Sequence, residues 1–84
     1  GGKAQEGTGT GGSATVYPFT LNYGQAAYQI ANPKSNTNVI VQVYEWNATT
    51  SSWDLILTDV NVTASKITVT FGRTTTVNHM VTVA

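Results

Sequence analysis

Residues 38–46 read NVIVQVYEW, and their alternation decides the fold class. In an extended strand, successive side chains point to opposite faces. Val39, Val41 and Val43 therefore share one face, and Ile40, Gln42, Tyr44 and Trp46 share the other. The all-valine side is the expected core side. The opposite side is amphipathic, so it is either partly covered by another layer or a contact surface.

The same alternation returns further along. KITVTF (66–71) sends Ile67, Val69 and Phe71 inward and Thr68 and Thr70 outward. VNHMVTV (77–83) puts Val77, His79, Val81 and Val83 on one face and Asn78, Met80 and Thr82 on the other. Between them, GRTTT (72–76) is a turn, as are NATTSS (47–52) and TASK (63–66). WDLILTDVNVT (53–63) loses its alternation at Asp54 and at Thr58-Asp59, which predicts a bulge or a break into two short strands. Upstream, TVYPFTL (15–21) is extended, and Pro18 demotes it to an edge or bulged strand. AAYQIA (26–31) is a further strand, closed by the turn formers NPKSNTN (32–38). The expected fold is all-β: a small antiparallel β-sandwich or open barrel of about six strands joined by meander hairpins. No stretch has helical spacing.

Composition agrees. Threonine occurs fifteen times and valine ten, against three leucines. Such β-branched residues lose rotamer freedom in helices and pack well on a pleated sheet. Eighty-four residues make one domain at most, and a chain so short buries only about 60% of its unfolded surface. There is no cysteine, so neither a disulfide nor a thiolate zinc site is available to staple it. Self-association or docking onto a larger assembly is the remaining source of burial.

Residues 1–14, GGKAQEGTGTGGSA, hold six of the eight glycines and no large apolar side chain. By composition this is a flexible Gly-rich arm or linker ahead of a single β domain at 15–84. Its expected use is to lie along a neighbouring subunit or partner. Glycine at position 1 implies a processed chain or a numbering that begins inside a longer protein.

Charge narrows the function classes. Lys3, Lys34, Lys66 and Arg73 balance Glu6, Glu45, Asp54 and Asp59, and the basic residues do not cluster. That excludes a phosphate-tracking surface, so no nucleic-acid partner is expected. No apolar run approaches the ~20 residues of a membrane span, so no membrane insertion is expected. A neutral surface suits a protein that lives inside an assembly.

Catalytic and metal chemistry find little footing. His79 shares its face with valines, so it is expected half-buried near one end of the last strand, as a core or interface histidine. A metal site needs several ligands beside a lone histidine, and no metal or other cofactor is expected. The carboxylates form no acid–base pair that spacing can place, and Ser35, Ser51, Ser52 and Ser65 sit in turns without a nucleophile elbow. No enzyme is expected, and no catalytic residue is assigned.

The aromatic residues are better candidates. Tyr44 and Trp46 share a face on one strand, and Trp53 follows across the loop. Three such rings stack on sugars, anchor a protein interface, or form a minor core flanking the hairpin. All three readings are open at this point.

The order VIVQVYE, polar hairpin, DVNVTASKITVTF, Thr-rich turn and HMVTVA resembles a small β module of tailed-bacteriophage fibre and other virion surface proteins, over roughly residues 17–84. In that module a His-Asn-Leu-Gly turn stands where this chain has ANPK (31–34), so only Asn32 is retained. The resemblance implies a non-enzymatic structural domain on the phage particle, either a capsid-surface auxiliary protein or a fibre component. Its partners would be virion proteins, by self-association or by docking to capsid or fibre subunits, in part through residues 1–14. The alternative is a carbohydrate- or receptor-binding module that meets a host surface glycan through Tyr44, Trp46 and Trp53.

Overall fold

The structure, a computed structural model, describes residues 15–84, so the arm expected at 1–14 lies outside the described residues. Seven strands form: β1 (Tyr17–Leu21), β2 (Ala27–Ala31), β3 (Val41–Asn47), β4 (Ser52–Ile56), β5 (Asp59–Val62), β6 (Lys66–Thr70) and β7 (His79–Val83). They build two antiparallel sheets, one of order β1-β7-β3-β4 and one of order β2-β6-β5. The fold is a small β-sandwich. The interrupted stretch 53–63 takes the two-strand option: Leu57 and Thr58 carry the chain from one sheet to the other.

Hairpins stand where the turns predict them, at β3–β4 and at β5–β6. The remaining connections cross between the sheets. β7, the last strand, therefore lies between β1 and β3. Strand alternation specifies a face but says nothing of such long-range order. Pro18 lies on β1, which is an edge strand as its proline requires.

The core is made of the inward residues of both sheets. Val41, Val43, Val81 and Val83 from the larger sheet and Ile67 and Val69 from the smaller are essentially inaccessible to water. Leu21, Tyr28, Val39 and Val62 complete the buried cluster, and Phe19, Ile30, Ile56, Val60 and Phe71 pack at its margin. Each fully buried Val or Ile contributes about 1.5–3 kcal/mol relative to exposure. Valine dominates because its short branched side chain covers a pleated sheet without reaching far into the narrow space between layers.

Three polar residues are buried with this cluster: Asn32, Thr75 and His79. Each is satisfied. The Asn32 amide donates to the carbonyls of Asn36 (2.7 Å) and Thr63 (2.8 Å), and its oxygen accepts from the Lys34 N–H (2.9 Å). One side chain thus ties the 32–36 turn to the β5–β6 turn. At the other end Thr75 accepts from the Gly24 N–H (3.1 Å) and meets the Tyr28 hydroxyl (2.8 Å), which also donates to the Asn22 carbonyl. The β1–β2 turn and the β6–β7 loop are stitched together there. Gly24 has φ 111° in that turn, a conformation that any side chain would strain.

Candidate functional site

The β3–β4 hairpin sets the outer face of the larger sheet. Asn47 pairs with Ser52, which closes a loop of residues 48–51. The Asn47 side-chain oxygen accepts from the Thr49 (2.9 Å) and Thr50 (3.2 Å) N–H groups, and Ser51 takes a left-handed φ of 55°. This loop length puts Trp46 directly opposite Trp53 and Tyr44 opposite Leu55. Tyr44 also faces Met80 of β7 on its other side. The three aromatic residues singled out in the sequence therefore share one face, joined by Leu55 and Met80, whose alternation places them there too.

Trp46 and Trp53 pack edge to face, with ring centroids 5.2 Å apart and planes inclined by 66°. Such a pair stabilises a hairpin by about 0.5–1.5 kcal/mol beyond its area burial. The Tyr44 hydroxyl donates to the Gln42 side-chain oxygen (3.0 Å). Even so, the strip is open to water. Trp53 and Leu55 are each 39% exposed and Leu57, just past β4, is 86% exposed. The strip is part covered and part open: Trp46 and Tyr44 are half-buried beneath their neighbours, while Trp53, Leu55 and Leu57 look outward.

His79 is buried more deeply than its place in the chain suggests, because its neighbours come from other strands. The Val77 carbonyl lies 2.9 Å from Nδ1 and can only accept, so Nδ1 carries a proton. Nε2 lies 3.4 Å from the Glu45 carboxylate on the adjacent strand, and the Phe71 ring packs at 4.5 Å between centroids. The side chains differ sharply in access, His79 at 3% and Glu45 at 48%. Glu45 also stands directly across from Asp54, an arrangement of like charges that costs stability. The two carboxylates turn apart, Glu45 toward His79 and Asp54 to the Asn47 amide, which donates to it (3.0 Å).

A depression of about 340 Å³ opens beside this pair, between Glu45, Phe71, Arg73, Thr75 and His79. Nδ1 of His79 is held by the Val77 carbonyl, and the imidazole lines that space beside Glu45. Among the described residues no group of His, Asp and Glu side chains is arranged to hold a metal ion. The site with unsatisfied surface is the aromatic strip.

No protein-family model, curated protein or solved structure matches the chain. The strip must be interpreted on its own chemistry. Sequence reasoning named Tyr44, Trp46 and Trp53 but missed Leu55, Leu57 and Met80 as their companions. Leu55 and Leu57 follow Trp53 at spacing two, and that spacing was the available signal. Glu45, the partner of His79, was missed because only the strand order brings β3 and β7 together.

Proposed function

We propose that this chain is a non-enzymatic structural module of a bacteriophage virion surface, a capsid-surface auxiliary protein or a fibre component. It acts through protein–protein contacts made by the outer face of the larger sheet. The observation that supports this most is the apolar strip on the solvent face of that sheet. It bears Tyr44, Trp46, Trp53 and Leu55, with Leu57 beside them, although the apolar core lies on the other face. An outward strip of aromatic and aliphatic side chains on a neutral domain is suited to being covered by another protein. The virion assignment adds the resemblance of the β3, β5–β6 and β7 segments to phage surface modules.

The second reading, a host-glycan site, draws support from the accessible Trp53 ring. Stacking on a sugar uses a free ring face, however, and in the inclined Trp46–Trp53 pair the edge of one ring takes up part of the face of the other. Protein contact is therefore the better reading.

The test is a chain with Trp53→Ser and Leu55→Ser. Both side chains are partly exposed on an edge strand, so the β spectrum should persist. Binding to purified virions, followed by co-sedimentation, should weaken by roughly thirtyfold or more, since truncating a buried aromatic anchor costs about 2 kcal/mol or more. Undiminished binding by the variant sinks the proposal. Binding of the wild-type chain to a glycan array, lost in the variant, would transfer the strip to the second reading.

A further inference from the structure

The edge of β4 is the least protected of the four sheet edges. Which of its backbone groups are free follows from the ladder on the far side of β3. The Trp46 N–H donates to the Asn78 carbonyl (3.0 Å), and Ile40 and Ala84 exchange both bonds (2.9 Å each). A residue's N–H and C=O point to the same side of a strand, and the side alternates. The even-numbered residues of β3 thus face β7, so Val43, Glu45 and Asn47 face β4. Their partners are Ile56, Asp54 and Ser52. The N–H and C=O groups of Trp53 and Leu55 consequently point away from β3, along the open edge.

The other three edges are blunted. By the same parity, Pro18 occupies an edge-facing position of β1 and has no N–H to offer. The edge-facing residues of β2 are Ala27, Gln29 and Ala31, which bring little apolar surface. β5 is four residues long and bears exposed Asp59 and Asn61. β4 has no proline, lysine or glycine and shows water Trp53 and Leu55, with Leu57 following. Its one guard is the charge of Asp54, on the face of Ile56, and that carboxylate is tied to the Asn47 amide.

We propose that β4 pairs with β4 of a second copy, antiparallel and two-fold symmetric about Leu55, to give one continuous sheet of both molecules. The register follows from the sequence of 53–57, Trp-Asp-Leu-Ile-Leu. Centred on Leu55, the pairing sets Trp53 against Leu57 of the second copy and Asp54 against its Ile56. Both Leu57 side chains, the most exposed large apolar groups described, become covered. A centre at Asp54 would oppose two carboxylates, and a centre at Ile56 would place Trp53 opposite Asp59; both are disfavoured. Asp54 thus selects the register while leaving the edge open. Zero net charge imposes no overall repulsion between copies. The aromatic strip, far from being consumed, is doubled in length across the two-fold.

This inference rests on the exposed strip and not on the virion reading, and the chain alone tests it. The chain has no cysteine, so an introduced one reports only contacts between copies. Leu55→Cys should form a disulfide-linked dimer under mild oxidation, because hydrogen-bonded antiparallel partners have Cα atoms about 5.5 Å apart, within disulfide reach. Trp53→Cys and Leu57→Cys chains should cross-link when mixed and not when oxidised separately. Leu55→Lys, which sets like charges at the two-fold, should convert the dimer seen by light scattering to a monomer with an unchanged β spectrum. A wild-type chain that scatters as a monomer at every concentration overturns the pairing. So does a folded Leu55→Cys chain that stays uncrosslinked, or an Asp54→Cys chain that cross-links in its place. Dimerisation without virion binding would keep this inference and sink the proposed function; virion binding by a monomer would do the reverse.

Discussion

Replacing Ile67 by alanine should bring the domain to the verge of unfolding. Ile67 is completely buried on β6, the central strand of the smaller sheet, between Ile30 and Val62. The substitution removes three carbons from a closely packed interior, a change that costs about 2–5 kcal/mol. A domain of this size, with no staple, has a total stability near the lower end of the usual range, about 5 kcal/mol. Urea unfolding should show the midpoint reduced by about 40% or more with the slope retained. Ile67→Val, which leaves out a single methyl group, should cost about 0.5–1.5 kcal/mol. Thr68→Val, one residue along and on the outer face, should stay within about 0.5 kcal/mol of the parent. A loss below about 1 kcal/mol for Ile67→Ala would mean that the two sheets collapse onto the vacancy.

Asn32→Ala should cost about 2–3 kcal/mol, a large loss for one short polar side chain. Three hydrogen bonds go with the amide, and the Asn36 and Thr63 carbonyls lose their donors in a partly buried place. Asn32→Asp separates shape from chemistry. It keeps the acceptor for the Lys34 N–H but sets a carboxylate oxygen against two carbonyl oxygens. It should be at least as destabilising as alanine, although it differs from asparagine by a single atom. Amide exchange at Lys34 and at Lys66 should quicken in both variants, since the two turns would then open independently. Equal stability of Asn32→Asp and the parent would show that water, not the amide, satisfies those carbonyls.

Much of the core was legible because β alternation is a local signal. Val39, Val41 and Val43 declared their face, and so did Ile67 with Val69 and Val81 with Val83; all are buried. Tyr44 and Trp46 were legible as companions for the same reason. Trp53 joined them only through the length of the 48–51 loop, since one residue more or less would have turned it to the core side. The rest depends on which strands meet. His79 lies deeper than expected because Phe71 and Glu45 approach it from other strands. Leu57 is exposed because it lies where the chain leaves one sheet for the other, which no pattern of hydrophobicity encodes. Asn32 and Thr75 are buried polar residues whose partners lie in turns distant in sequence, and short polar side chains give no advance sign of such a place.

The pairing of β1 with β7 has a mechanical consequence. Tyr17, the first residue of β1, sits directly opposite Val83, the last of β7. Chain entering before residue 17 and chain leaving after residue 83 therefore attach at the same corner. Tension between those two points acts across the strands and loads one rung of the ladder at a time, so β1 would peel from β7 as a zipper opens. A sheet pulled lengthwise, by contrast, must rupture its rungs together. In a single-molecule pulling experiment on these attachment points, the module should yield at low force and in succession from Tyr17 toward Leu21. Such a geometry suits a domain that hangs from its support by one corner, out of the line of tension.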